Sequence, residues 1–319
     1  MQKKKSRIVF MGTPEFALVS LRQIMDEEFN VVCVITAPDK PAGRGKKIKE
    51  SAVKKFAVSK GIPVLQPVNL KDENFLRQLK AYKAHLNVVV AFRMLPEVVW
   101  AMPPEGTINL HASLLPDYRG AAPINRVIMN GETMTGVSTF FIEKEIDTGN
   151  IILQKEVPVT FQMNAGELHD LLMSEGARLL TRTLELILKG KAKSKPQPQK
   201  DNPKTAPKIY PSDCKIPWEK DALVIYNHIR GLSPYPGAWT KIETRDKKEI
   251  TVKILSAEVS SESHSYPVGT LFYADNSVKI PVRNGFIIIK ELQVPGKKRM
   301  LIKDFLLGNS IEGWKIIIE

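Results

Sequence analysis

What most limits the fold of this chain is a series of short runs across residues 7–130 that are apolar at nearly every position, each followed by a helix-like stretch. Residues 31–36 read VVCVIT and residues 87–92 read NVVVAF. A strand with one face in water alternates apolar and polar side chains, whereas a strand covered by helices on both faces has no polar face to keep. Arg7–Phe10, Val31–Thr36, Pro63–Leu65, Val88–Phe92 and Thr107–Leu110 are therefore expected strands, with an amphipathic stretch from Pro14 to about Met25 between the first two. Strand and helix in alternation predict an α/β domain: a Rossmann-like, open, mostly parallel sheet with helices on both faces.

The pattern changes after residue 130. Residues 137–160 form two β-rich arms around the turn signal Asp147-Thr148-Gly149-Asn150, a hairpin expected to add antiparallel edge strands. A helix is expected from about Ala165 to Lys189. Then KGKAKSKPQPQKDNPKTAPK, with four prolines and seven lysines in twenty residues, cannot bury a core and reads as an extended linker. Beyond it, a helix around Lys220–Arg230 precedes short β-rich runs such as EITVKILSAEV and GFIIIKELQV, which predict a small β-rich, OB-like barrel. The expected division is a Rossmann-like domain over 1–189, a basic linker over 190–208 and a β-barrel domain over 209–319.

Charge is concentrated rather than spread. The formal net charge is +13. Residues 40–60 carry a net +7 and residues 189–208 a net +6, so the remainder of the chain is neutral. A basic excess confined to two short stretches fits a patch for a polyanion as well as a solvated lysine face beside a charged linker. No run approaches the roughly 18 apolar residues of a membrane span. The amino terminus has only a four-residue apolar run, Ile8–Met11, before Gly12, too short for a signal peptide, which leads to the expectation of a cytoplasmic protein without a membrane partner. Two cysteines, Cys33 and Cys214, cannot make a disulfide framework, and Cys33 is expected to be a buried thiol.

Several familiar signals fail. MGTPEF after the first strand lacks GxGxxG, and GRGKK lacks the spacing of a phosphate loop. The five histidines show no ligand spacing, so no metal is expected. The segment GTINLHASLLPDYRGAAP, residues 106–123, is different. It begins as a strand, and open α/β sheets bind ligands at the carboxyl ends of their strands. Asn109 and His111 are two residues apart and share a face there. Both could simply satisfy backbone groups at a strand end. With an acid such as Asp147 beyond the hairpin, they would instead supply an oxyanion donor, a proton carrier and a carboxylate partner for the imidazole. With no Ser or Cys placed as nucleophile, that set favours direct transfer of an activated acyl group over a covalent intermediate.

These motifs closely resemble those of the 10-formyltetrahydrofolate-dependent formyltransferase family, and in particular the bacterial methionyl-tRNA formyltransferases. The resemblance spans nearly the whole chain, through MGTPEFA, APDKPAGRGKKIKESAVK at 37–54, INLHASLLPDYRGAAPI at 108–124, IDTGNII at 146–152 and IPWEKDALVIYNHIRGLSPYPGAW at 216–239. It implies that Asn109 holds the formyl oxygen, that His111 assists a tetrahedral intermediate, and that Asp147 orients His111 and relays protons from the attacking amine. It implies a folate site formed by Ser113, Leu114, Leu115 and Pro116, by Phe92, Met94 and Leu95, and by Ile146, with the pteridine facing backbone around 90–95 and 143–147. One departure stands out: relatives usually read A-Y-G-L-I-L-P where this chain has AFRMLP, Ala91–Pro96, one residue shorter and with an Arg in place of a small residue.

For the acceptor, PAGRGKK resembles the family's insertion loop, which enters the acceptor-stem end of initiator tRNA. The resemblance assigns Arg44 to contact near the first base pair and Lys40, Lys46, Lys47 and Lys49 to phosphates, which add affinity without sequence information. The implied partners are initiator methionyl-tRNA and the folate co-substrate, met by a monomer. Two other readings remain open at this point. A same-fold enzyme could formylate a sugar nucleotide or hydrolyse formyl-folate, but it would have no use for the GRGKK loop, and the sequence shows no further dehydrogenase domain. A non-catalytic RNA-binding protein on the same fold would be expected to lack Asn109, His111 or Asp147, and all three are present.

Overall fold

The computed structural model describes residues 2–42, 47–274 and 277–318. It divides into two compact units, the first made of residues 1–120, 134–158 and 169–205, the second of 121–133, 159–168 and 206–319. Segments 121–133 and 159–168 thus group with the second unit although the chain reaches them before the linker.

The first unit is built on a seven-stranded sheet. Its strands are β1 (Arg7–Gly12), β2 (Asn30–Ile35), β3 (Val64–Leu65), β4 (Leu86–Val90), β5 (Thr107–His111), β6 (Met134–Phe141) and β7 (Ile151–Pro158). They lie in the order β7-β6-β5-β4-β1-β2-β3. β3, β2, β1, β4 and β5 are parallel, while β5–β6 and β6–β7 pair antiparallel. The apolar runs become the central strands, and every residue of β4 is buried. The edge strand β7 leaves Gln154, Lys155 and Glu156 at least partly in solvent, as a strand covered on one side only should.

Helices α1 (Glu15–Asp26), α2 (Ala52–Ser59) and α3 (Glu73–Ala81) connect the parallel strands. Two of them start on side-chain caps: Ser51 Oγ accepts from the Lys54 N–H at 3.0 Å, and Asp72 Oδ1 accepts from the Phe75 N–H at 2.9 Å. Each cap is worth about 1 kcal/mol. On one face of the sheet Val9, Met11, Cys33, Ile35 and Val89 pack with Phe75 and Leu79 of α3. The strand order reverses between β1 and β4, so a crevice opens outside the carboxyl ends of the central strands, next to the end of β5.

In the second unit α4 (Pro123–Met129) packs on a later helix, Ala222–Gly231. Between them in sequence lies the 24-residue α5 (Ala165–Leu188), which makes the Ala222–Gly231 helix α6. The rest is an antiparallel sheet that curls into a half-barrel. Its strands are β8 (Ala238–Glu243), β9 (Glu249–Ser260), β10 (Phe272–Ala274), β11 (Ser277–Val282), β12 (Gly285–Gln293) and β13 (Lys315–Ile316), in the order β10-β11-β12-β9-β8-β13. Ile254, Ile280, Ile287 and Leu292 from these strands share one apolar core with Ile225 and Ile229 of α6. The indole N–H of Trp218 donates to Thr240 Oγ1 at 2.9 Å, so a buried aromatic also has its polar atom paired.

Candidate active site

His111 is the last residue of β5 and only 6% exposed. Its Nε2 lies 2.8 Å from the Tyr118 carbonyl oxygen. A carbonyl can only accept, so Nε2 carries the hydrogen and donates it, which leaves Nδ1 as the nitrogen free to exchange a proton. Nδ1 is 3.8 Å from Asp147 Oδ2, close enough for charge–charge attraction and too long for a hydrogen bond. The imidazole is therefore oriented by a main-chain carbonyl, and the carboxylate acts on it through space.

Asn109 lies two residues earlier on β5, in register with Phe140 of β6. It is half-buried, and its side-chain amide has no hydrogen-bond partner among the described residues. An amide that is neither paired nor fully open at the carboxyl end of a central strand is available to an incoming oxygen.

Asp147 sits in the turn between β6 and β7 with φ at +55°, a conformation that costs a non-glycine residue about 1–3 kcal/mol unless its surroundings hold it. Two hydrogen bonds hold it. Oδ2 accepts from the Gly120 N–H at 3.0 Å, and the Asp147 carbonyl accepts from Gln197 Nε2 at 2.7 Å. Gly149 explains the glycine of D-T-G: a Cβ there would collide with the Phe141 carbonyl oxygen.

The 112–120 loop is fixed from below by the β6–β7 hairpin. Ser138 Oγ donates to the Ser113 carbonyl at 2.6 Å and accepts from the Leu115 N–H at 3.1 Å, and Gln154 Nε2 donates to the Leu115 carbonyl at 3.0 Å. Ser113 spends its own hydroxyl on the Asp117 carbonyl at 2.7 Å. Ser113 and Leu115 are buried, so any ligand reaching this loop would meet their backbone rather than their side chains. Leu114 packs against Gly136, and Pro116 borders a polar cavity of about 470 Å³ with Arg119, Asn150 and Gln197.

On the other flank, Met94 and Leu95 line a second cavity of about 690 Å³ together with Arg93, Val68 and Leu70. Neither cavity is lined by His111 or Asp147. Phe92 is half-buried, and Ile146 is 56% exposed. The unexpected Arg93 has a clear local role: its guanidinium donates to the Val68 carbonyl at 2.7 Å and to the Pro67 carbonyl, tying the Ala91–Pro96 loop to its neighbour.

Of the basic residues singled out in the sequence, Lys40 and Lys49 face solvent on a short hairpin of Lys40–Ala42 with Lys47–Lys49. Arg44 and Lys46 lie outside the described residues, and Lys47 is described through its backbone only. Burial pushes the Cys33 thiol up to about 12, so it is no nucleophile at neutral pH. Among the described residues no group of three His, Cys, Asp or Glu is placed to hold a metal, and no helix is long and apolar enough to cross a membrane.

Sequence reasoning missed Tyr118, Ser138, Gln154 and Gln197. All four act at least in part through or upon main-chain atoms, and a carbonyl leaves no mark in a sequence. Gln197 had one weak signal, an amide between Pro196 and Pro198, whose rings leave it little backbone freedom.

Residues 6–184 match the formyl transferase family model, and residues 208–310 match the model of the formyl transferase C-terminal domain. The chain belongs to the formyl transferase family. It is 52% identical over 314 residues to the methionyl-tRNA formyltransferase of Parabacteroides distasonis, covering 97% of both chains. It is likewise 52% identical over 305 residues to the methionyl-tRNA formyltransferase of Flavobacterium johnsoniae, covering 96% of both. Within the family, that agreement along almost the full length sets the chain among the methionyl-tRNA formyltransferases. Among solved structures, WlaRD, a sugar 3N-formyl transferase crystallised with dTDP and 5-N-formyl-THF, superimposes with a TM-score of 0.66 over 92% of this chain and 99% of its own, at 22% identity. At that identity the likeness is one of fold.

Proposed function

We propose that the protein transfers the formyl group of 10-formyltetrahydrofolate to the α-amino group of methionyl initiator tRNA. The observation that carries the chemistry is the Asn109 amide, unpaired among the described residues, on the same face of β5 as His111, whose Nδ1 is directed toward Asp147. The bound folate supplies a formyl group activated on an aryl nitrogen that leaves as the free amine. Everything else falls to side chains of this protein. Asn109 Nδ2 donates to the formyl oxygen and stabilises it as charge grows there, an effect usually worth 100- to 1,000-fold in rate, roughly. His111 Nδ1 accepts the proton that the attacking amine loses, because Nε2–H is already committed to Tyr118. The Asp147 carboxylate, 3.8 Å away, stabilises the imidazolium that results, and His111 gives that proton to the departing nitrogen as its bond to the formyl carbon breaks. No metal is needed in this scheme.

The folate would run between the Ala91–Pro96 loop, with Phe92, Met94 and Leu95, and the turn bearing Ile146 and Asp147, against the backbone of Ser113–Pro116. The fit rests on the apolar rim beside Met94 and Leu95 and on a loop that offers main-chain groups. The tRNA would meet Lys40, Arg44, Lys46, Lys47 and Lys49, with the 190–208 segment and the half-barrel unit extending the track. The protein would act as a monomer in the cytoplasm, with no membrane partner.

The decisive experiment incubates purified protein with 10-formyltetrahydrofolate and charged initiator tRNA and scores formylmethionine. Formylmethionyl-tRNA is the expected product. No product with tRNA, but product with an amino-sugar nucleotide, would overturn the acceptor assignment.

A further inference from the structure

We infer that Gln197, in the Pro- and Lys-rich stretch that closes the first unit, is a positioning residue that holds Asp147 in place for the transfer proposed above, on which its kinetic consequence rests. Gln197 Nε2 donates to the Asp147 carbonyl at 2.7 Å and to the Gly149 carbonyl at 2.9 Å. Its Oε1 accepts from Arg119 Nε at 3.1 Å and Arg119 Nη2 at 2.6 Å. Carbonyls only accept and a guanidinium only donates, so the amide fits in one orientation, with both of its hydrogens and its oxygen in use. Asp147 needs such support because it holds a left-handed backbone, and its carboxylate has one hydrogen-bond donor among the described residues, the Gly120 N–H.

The anchorage continues along the same segment. Lys195 pairs with Ile151 through both backbone groups at 2.8 Å. Lys200 Nζ meets Asp117 Oδ2 at 2.5 Å, and the Lys204 carbonyl accepts from the Tyr118 N–H at 2.5 Å. Tyr118 is the residue whose carbonyl orients His111. Residues 195–204 therefore brace both sides of the His111–Asp147 pair, and Gln197 is the one side chain of that brace that reaches the D-T-G turn. This stretch, which composition marks as solvated linker, is in this respect part of the site.

The test is Gln197→Glu beside Gln197→Ala, with Gln199→Glu as control. Glutamate keeps the length and the oxygen facing Arg119 but sets carboxylate oxygen against two carbonyls, so it breaks the link to the turn without removing the side chain. Gln199 is exposed and makes no bond to the turn. For Gln197→Glu, single-turnover formyl transfer should fall roughly 10- to 100-fold, the scale of a 1 Å misplacement, with KM for both substrates within about threefold of wild type. Hydrogen exchange over residues 143–151 and at the Gly120 amide should rise about tenfold or more, with the rest of the chain and the thermal midpoint unchanged. Gln197→Ala should follow it, and Gln199→Glu should match wild type in exchange over 143–151. Exchange over 143–151 unchanged in Gln197→Glu, or transfer within threefold of wild type, overturns the inference. Should the wild-type protein fail to formylate methionyl-tRNA, the proposed activity falls, and exchange alone still decides whether Gln197 holds the turn.

Discussion

The reactive groups are few and their neighbours explain their state. His111 has one nitrogen fixed by Tyr118 and one turned toward Asp147, so His111→Ala removes the proposed proton acceptor from the end of β5. Loss of about 100-fold or more in turnover is expected, and the same for Asn109→Ala, measured as kcat with methionyl-tRNA. A near-normal rate in either variant would remove that residue from the mechanism. Gly149→Ala forces the turn away from the Phe141 backbone and should carry Asp147 with it, lowering both kcat and the thermal midpoint. At this scale the sequence marks what side chains can show: N-x-H with a downstream D-T-G is a pattern of side chains, and the structure brings His111 and Asp147 within 3.8 Å. It was silent on the Tyr118 carbonyl, because a main-chain acceptor is the same atom whatever the residue.

Among the elements, the parallel strands were legible because a strand covered on both sides has to be apolar throughout, and Val31–Thr36 and Val88–Phe92 differ from the observed β2 and β4 only by shifts of one or two residues at their ends. The 190–208 segment shows the opposite case. Proline and lysine content marks it as extended chain, but composition cannot see Gln197 reaching a turn 50 residues away or Ala206 fully buried. The Ala91–Pro96 loop is intermediate, since its shortening is visible while the compensating clamp from Arg93 to Pro67 and Val68 is not. Arg93→Ala should loosen that loop and raise KM for formyl-folate about three- to tenfold, in line with one or two exposed charge-assisted bonds, with kcat within about twofold. Helix α6 supports a different prediction. His228 is buried there, with Nε2 unpaired among the described residues and Arg126, Asp213 and the backbone of Cys214 and Lys215 around it, and burial holds its pKa below the ordinary 6.5. Below 6.5 the unfolded chain takes up this proton before the folded one, so stability falls as pH drops from about 6.5 through the lowered folded value. The thermal midpoint should decline over that window, and His228→Phe should flatten the decline; an unchanged slope would remove His228 as its source.

For the molecule as a whole, the net charge of +13 matters less than which of its cations are already engaged. Lys54 is bound to Asp39 and Glu50, holding the Asp39 carboxyl below its ordinary value, and Lys200 is bound to Asp117. Lys40, Lys49, Lys191, Lys193 and Lys195 have no side-chain ion pair among the described residues and can meet phosphates without first losing a partner. A phosphate contact by a free lysine releases a counterion from the nucleic acid, so the logarithm of affinity falls with the logarithm of salt by about 0.7–0.9 per contact. A lysine that must leave a carboxylate gains far less, because one ion pair replaces another. Replacing Lys191, Lys193 and Lys195 together by Gln should therefore flatten the salt dependence of tRNA binding by about 2–3 units of slope and weaken binding most at low salt. Lys54→Gln should leave that slope nearly unchanged. Fluorescence titration of methionyl-tRNA between about 50 and 200 mM salt reads both variants directly. If the triple variant keeps the wild-type slope, the segment before the half-barrel unit does not touch the RNA, and its role contracts to bracing the turn that carries Asp147.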